Sequence, residues 1–385
     1  MTPFEFATAA RIIFGSGTLK EIGLVAKSIG KRALVVTGAD TRRAARLIEL
    51  MDGAGVEASL FAVVGEPSIG AVENGVAQAR AAECDVVIGF GGGSAIDAGK
   101  AIAAMLTNPG NLLDYLEIIG DGKNLALAPA PYIAIPTTSG TGAEVTRNAV
   151  LTSPEHGLKV SLRSALMLPK VALVDPELTL DLPRDITAAS GLDALTQLIE
   201  PYLSCRANAM ADALCVEGIR RIVGSLRRAC EPGHDLAARE NMALASLWSG
   251  MALANAGLGA VHGFAAVIGG MFPAPHGAVC AALLPHALTV NLRALRERQP
   301  GSEPLRRLTE VARLLTGEPK AEPEDGLRWL AALVAELQIP PLNRYGITAA
   351  HTAQLVEKAA AASSMKGNPL PLTSDELTEI LSRAL

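Results

Sequence analysis

"CDVVIGFGGGSAIDAGKAIAAML", residues 84–106, is an apolar run that ends in three consecutive glycines and continues from Ser94 into an Ala-rich segment with helical spacing. A run this apolar, without polar alternation, predicts a strand buried on both faces, as in a parallel sheet covered by helices. Glycines after such a strand let the backbone approach an anion closely. The helix that follows offers free N–H groups and the positive end of its dipole. A phosphate would be held there; the alternative is a tight turn without a ligand. A Walker A loop is excluded, because Ser94 stands where its first glycine belongs and Ala101, not Ser or Thr, follows Lys100. The usual dinucleotide fingerprint, with an acidic residue about twenty positions on, is not met cleanly either.

The segments around this one repeat its pattern. "KRALVVTG" (31–38), "EASLFAVVG" (57–65), "PYIAIPTTSG" (131–140) and "KVALVDPEL" (170–178) are largely apolar and bounded by turn formers, and Ala-rich helical stretches lie between several of them. Alternating strands and helices of this kind predict a mostly parallel, doubly wound α/β domain. After "DLPRDITAAS" (181–190) the strand signals stop, and residues 191–385 read as helix after helix. The expected organisation is therefore an α/β domain over residues 1–183 and an all-helical domain over 184–385.

A second loop, "PTTSGTGAEVT" (136–146), concentrates hydroxyls at Thr137, Thr138, Ser139 and Thr141 after a strand. It is either a cofactor loop or a polar turn. Two such loops in one α/β domain favour a nucleotide crevice at the carboxyl ends of the strands. In "GLDALTQLIEPY" (191–202), Asp193 and Gln197 stand four apart and so stack on one helix face. "GAVHGFAAVIGGMFPAPHG" (259–277) adds His262 and His276 among small apolar residues. A lone histidine in that setting is more often a core residue. Together with Asp193, the two form a plausible set for a divalent metal with an open position. His286 is the competing candidate, read as core or helix end.

Composition limits the partners. With 34 Lys+Arg against 39 Asp+Glu the formal charge is −5, and no basic run suggests nucleic acid or a polybasic membrane surface. The five cysteines are scattered without a C-x-x-C, so neither a disulfide framework nor a thiolate zinc site is indicated. The N-terminal MTPFEFATAARIIFGSG lacks the pattern of an export signal, and no run of about 18 apolar residues occurs. A soluble protein of the cytoplasm, acting on small molecules, is expected.

"GFGGGSAIDAGKA", "IPTTSGTGAEVT", "LVDPELT", "GLDALTQLIEPYLS" and "GAVHGFAAVIGGMFPAPHGAVCAALLPH", in that order, closely resemble the iron-containing (group III) alcohol dehydrogenase family. The resemblance runs from "RIIFGSGTLKEIG" to about residue 290 and implies an architecture shared with dehydroquinate synthase. It implies NAD or NADP across the glycine and threonine loops, and a divalent Fe2+ or Zn2+ in the cleft between the domains. A homodimer or larger homo-oligomer that interconverts small alcohols and aldehydes or ketones completes the expectation.

Carried over position by position, the implied metal ligands are Asp193, Gln197, His262 and His276, with Asp193, His262 and His276 at the centre of catalysis. Gly91, Gly92, Gly93 and Ser94 would bind the pyrophosphate, and Thr137, Thr138 and Thr141 would line the cofactor. Lys159 matches a family lysine near the cofactor ribose; a solvated surface lysine is the other reading. Two positions depart from the family. Gln197 stands where it usually has His, and Ala266 where many members carry a further cleft histidine. Amide oxygen is a weaker donor than imidazole toward either metal. Gly38 ends a strand where NAD-preferring relatives often place Asp, so NADP is permitted, with Arg42 and Arg43 near enough in sequence to supply charge. Two further function classes stay open on sequence: a diverged nucleotide-binding protein with a weak or absent metal, and a dehydroquinate synthase-like lyase. The lyase needs several cationic side chains that the Gly-, Ala- and Phe-rich motifs do not supply.

Overall fold

A computed structural model describes residues 3–385; the first two, which open the segment read for an export signal, lie outside it. The strands are β1 (Ile12–Phe14), β2 (Arg32–Thr37), β3 (Glu57–Ala62), β4 (Val86–Gly91), β5 (Tyr132–Pro136), β6 (Asn148–Ser153), β7 (Leu158–Arg163) and β8 (Val171–Val174). Six of them form one sheet in the order β1-β8-β5-β4-β2-β3, with every pairing parallel. Helices α1 (Ile22–Lys27), α2 (Ala45–Asp52), α3 (Ile69–Ala81), α4 (Gly93–Thr107) and α5 (Leu112–Tyr115) accompany it.

Period-two alternation sorts the strand side chains between two cores. Ala33 and Val35 of β2, Val86, Ile88 and Phe90 of β4, and Ile133 and Ile135 of β5 pack with Ile22 and Val25 of α1 and Leu47 and Met51 of α2. Leu34, Val36, Val87, Tyr132 and Ala134 face the other way, onto Val72 and Val76 of α3 and the Ala-rich face of α4. Both faces of the sheet are thus covered, as the near-continuous apolar strands predict. Close packing of β4 on β5 needs a glycine: a Cβ on Gly89 would lie 2.0 Å from the Tyr132 hydroxyl, which donates to the Ile96 carbonyl at 2.8 Å.

β1 and the antiparallel hairpin β6–β7 are additions to the strands expected from sequence. β1 is only three residues long, too short for a periodic signal. β6 is half-buried, and its alternation was masked by the polar residues around it.

The second compact unit spans Leu182–Leu385. It holds α6 (Arg184–Leu203), α7 (Ala209–Cys230), α8 (Leu236–Ala256), α9 (Ala260–Met271), α10 (His276–Arg298), α11 (Glu303–Thr316), α12 (Pro323–Glu336), α13 (Thr352–Ala361) and α14 (Ser374–Ala384). One continuous core, including Leu192, Leu195, Leu198, Phe264, Leu283 and Leu284, joins them. α10 is long and apolar enough to cross a membrane, but it is largely buried among the other helices, as a core helix is. The division differs in detail from a cut in sequence. Residues 3–7 and Ser139–Thr141 group with the helices, and the sheet unit is Thr8–Thr138 with Gly142–Asp181. The threonine loop is therefore divided between the units, with Thr137 and Thr138 in one and Thr141 in the other.

Candidate functional site

In the sheet unit the strand order reverses direction between β2 and β4, the kind of place where open α/β sheets bind ligands beyond the carboxyl ends of their strands. Gly38 follows β2 there, and Gly91, Gly92 and Gly93 lead from β4 into α4. A Cβ on Gly91 would stand 2.7 Å from the Ala95 methyl and 3.5 Å from the Gly38 nitrogen, so only glycine lets the two chain segments approach this closely. Gly92 caps α4 with no side-chain hydrogen bond, which leaves the first N–H groups, including that of the half-buried Ser94, for an outside acceptor. The Thr137 N–H donates to the Gly91 carbonyl at 2.9 Å, and Thr138 borders Gly92, so the threonine loop flanks the glycine loop. This cradle of backbone donors fits a pyrophosphate.

Other residues expected at the cofactor have settled partners. Lys159, on β7, is 5% exposed and pairs with Glu66 at 2.9 Å, so it is not a solvated lysine. Arg42 is fully committed to Asp40, through contacts at 2.8 and 3.0 Å, and Arg43 donates to the Leu178 carbonyl. Lys100 of the apparent Gly-Lys pair points inward: its Nζ reaches Asp97 at 3.0 Å, the Ala143 carbonyl and Thr146. Open space surrounds the Cβ direction of Gly38.

The helical unit gathers the acidic and imidazole groups. α6 presents Asp193, Gln197 and Glu200 at i, i+4 and i+7, one face of a helix buried along most of its length. His262 lies in the first turn of α9, and His276 opens α10 with Cys280 one turn later. Asp193 Oδ1 is 3.4 Å from His262 Nε2 and 3.8 Å from His276 Nε2, and Cys280 Sγ is 3.8 and 3.7 Å from the same two nitrogens. One donor atom from each of these four residues lies within 4.8 Å of the others.

Glu200, which was not singled out in the sequence, orients this group. Its Oε2 accepts from His262 Nδ1 at 2.7 Å, and its Oε1 accepts from the Val261 N–H at 2.7 Å. One carboxylate thereby anchors the start of α9 and leaves His262 Nε2 as the ring's free donor atom, the arrangement that orients metal-binding histidines. Gln197 has different business from the ligand role expected of it. Its Nε2 donates to Asp193 Oδ2 at 3.2 Å, and its Oε1 faces the Ser249 hydroxyl of α8 at 3.1 Å. The carboxylate can only accept, so the amide is turned with its oxygen away from the donor group.

Electrostatics test whether a cation fits. Among the described residues, Asp193 Oδ1 is buried without a hydrogen bond of ordinary geometry, its facing imidazole nitrogens lying at 3.4 and 3.8 Å, a costly state for a carboxylate oxygen without a positive partner. Burial alone would raise its pKa; the facing His276 and His262 outweigh that and hold the carboxyl below its usual range. Burial likewise opposes charge on His262, yet Cys280, Glu200 and Asp193 beside it hold the imidazole well above its usual range. The buried carboxylates thus favour positive charge beside them. A divalent cation meets the same demand, and three kinds of donor atom converge to hold it.

Ala266 lies two residues beyond the buried Phe264 and is half-buried, and Phe264 and Ala265 belong to the core. His286 is half-buried in α10, and burial lowers its pKa, as for a core histidine.

Comparison with known proteins agrees with the two units. The family "Iron-containing alcohol dehydrogenase" matches residues 9–176, and "Fe-containing alcohol dehydrogenase family, C-terminal" matches residues 187–385. The chain is similar to 1,3-propanediol dehydrogenase of Klebsiella pneumoniae, at 34% identity over 99% of this chain and 98% of the relative. It is 32% identical to the NAD-dependent methanol dehydrogenase of Bacillus methanolicus, over the full length of both. Among solved structures, a 1,3-propanediol oxidoreductase superposes with a TM-score of 0.93 at 33% identity, covering both chains completely. With both halves matched in order and relatives aligned end to end, the chain belongs to the iron-containing alcohol dehydrogenase family and is an oxidoreductase.

Proposed function

We propose that this enzyme interconverts a small alcohol with its aldehyde or ketone, using NAD or NADP and a divalent cation held by Asp193, His262 and His276. The observation that carries the proposal is the buried, unbonded Asp193 Oδ1 facing two imidazole nitrogens inside the family's own helical domain. When bound, the cation supplies Lewis acidity toward a substrate oxygen and the nicotinamide supplies or takes the hydride.

The chain's own residues prepare that chemistry. Glu200 fixes the tautomer and direction of His262, and Gln197 steadies Asp193 from one helical turn away. The side chain of His276 is 31% exposed while those of Asp193 and His262 are buried, so a substrate oxygen approaches from the His276 side. Ala266 carries no ionisable group, so no side chain at that position of α9 relays a proton. The backbone N–H groups at the start of α4 bind the cofactor phosphates, and Thr137, Thr138 and Lys159 of the same unit complete the sheet unit's part of the cofactor site. Gly38 leaves room for the adenosine ribose and offers no carboxylate to repel a 2′-phosphate, which supports acceptance of both cofactors. Assembly as a homodimer or larger oligomer belongs to the same reading.

The test is NADH and NADPH oxidation over a panel of small aldehydes and ketones. It uses full-length protein loaded with Fe2+ or Zn2+, chelator-stripped protein, and loaded His262→Ala. Turnover should require the metal and fall at least about a hundredfold in the variant, the scale of losing one strong stabilising contact. Equal turnover in all three would remove the cation from the reaction. Absence of turnover in every form would favour a diverged nucleotide-binding protein.

A further inference from the structure

Gln197, at the position where the resemblance places a family histidine, hydrogen-bonds Asp193 and Ser249. We propose that Cys280 binds the cation as a thiolate, that Gln197 is a positioning residue for Asp193, and that the centre is an Asp-His-His-Cys site selective for Zn2+. This rests on the cation reading above and goes beyond it in naming the ligand set and the metal.

Three independent observations carry it. Cys280 sits one turn after His276 on α10, so both project from one helix face. Its sulfur is buried and lies 3.8 Å from His262 Nε2 and 3.7 Å from His276 Nε2, on the same atoms that face Asp193. Asp193 Oδ1, at 3.4 and 3.8 Å from those nitrogens, has no hydrogen-bond partner of its own. A tetrahedral zinc with bonds of about 2.0–2.3 Å separates its ligand atoms by about 3.3–3.6 Å. The four separations given above lie within a few tenths of an ångström of that range, and all of the donor atoms lie within 4.8 Å of one another.

Gln197 does not compete for that place. Its amide nitrogen donates to Asp193 Oδ2 and its oxygen accepts from the Ser249 hydroxyl. The chain has thus lost an imidazole on α6 and supplies a sulfur from α10. Thiolate is the softer ligand and favours zinc over ferrous iron. On binding, the Cys280 S–H bond breaks, its proton passes to solvent, and the sulfur lone pair forms the bond to the cation; no electron is transferred. With four protein donors, a bound zinc would meet a substrate oxygen only by adding a ligand, an expansion that zinc tolerates.

The test is optical and needs no turnover. Full-length protein is stripped with chelator and titrated with Co2+, then with Zn2+ against a chromophoric chelator. Wild type should show the near-ultraviolet band of thiolate-to-cobalt charge transfer. Cys280→Ser should lose that band and weaken Zn2+ binding about tenfold or more, the scale of altering a metal's immediate surroundings. Gln197→Met should keep the band while weakening binding through the loss of its hold on Asp193. Circular dichroism checks that each variant is folded, and the wild-type band stands as evidence whether or not the variants fold. Co2+ and Zn2+ bound tightly by wild type without the band, and equally by Cys280→Ser, would overturn the cysteine ligand and leave the Asp193, His262 and His276 reading intact. Failure of wild type to bind either ion would overturn both.

Discussion

The carboxylate of Glu200 meets His262 Nδ1 through one 2.7 Å hydrogen bond, and that bond decides which ring nitrogen is free for a cation. Glu200→Gln keeps the shape and removes the charge, so the imidazole is less firmly held and less basic toward a metal. Zn2+ affinity should fall about ten- to a hundredfold, as for other partners of metal-bound histidines. The cobalt–thiolate band should survive, since Cys280 is untouched. Chelator competition on the two proteins side by side reads the difference, and equal affinities would mean that packing alone orients His262. At this scale the sequence singled out Asp193, His262 and His276, whose donor atoms the helical unit brings close together. Glu200 and Cys280 were present at telling spacings, seven after Asp193 and four after His276. A helical Glu and a lone Cys in an apolar run have ordinary readings, however, as surface acid and core thiol. Only the packing of α9 against α6 and α10 makes them neighbours of His262.

Helix α4 shows how an element can carry a misleading motif. Its Lys100 looks available for phosphate, yet the side chain is buried and fastens the segment Ala143–Asn148 to the helix. That segment contains Glu144, buried beside it, whose pKa burial lifts from 4.5 to about 7 despite the opposing pull of Lys100. The sign follows from proton counting. Between those two values the unfolded chain has released this proton and the folded chain still holds it, so stability falls as pH rises and levels off above about 7. The contribution amounts to about 3 kcal/mol, from about 1.4 kcal/mol per unit of pKa. Glu144→Gln should remove that part of the pH dependence, seen as a smaller loss of urea resistance between pH 5 and pH 8 than in wild type. Equal losses would show that Glu144 is ionised in the folded protein across the range. The long elements were readable because each is buried in a regular way: five strands sandwiched between helices, and helices with sustained apolar spacing. β1 and the β6–β7 hairpin escaped because one is three residues long and the other alternates with polar residues around a Pro-Glu-His-Gly turn.

At the scale of the whole molecule, cofactor and cation call on different cores. The glycine loop and α4 rest on the sheet's two apolar layers, whereas Asp193, His262, His276 and Cys280 project from helices that share the core of the helical unit. A ligand stabilises most strongly the structure that must open to release it. At a thousandfold excess over Kd that amounts to about 4 kcal/mol, or roughly a thousandfold slower exchange for amides that exchange through such opening. In the proposed site a bound cation would pair with the buried Asp193 oxygen and tie together the three helices that carry its donors. Hydrogen exchange followed by mass spectrometry should therefore divide the chain. Adding Zn2+ to stripped protein should slow exchange in α6 around Asp193, in α9 and in the first turns of α10, and leave α4 little changed. NADH or NADPH without metal should slow exchange at Gly91–Ala95 and the start of α4, and leave α9 little changed. Protection by Zn2+ confined to the sheet unit would place the cation elsewhere. Protection of the glycine loop by neither cofactor would leave that cradle as a turn between β4 and α4, holding strand to helix and nothing else.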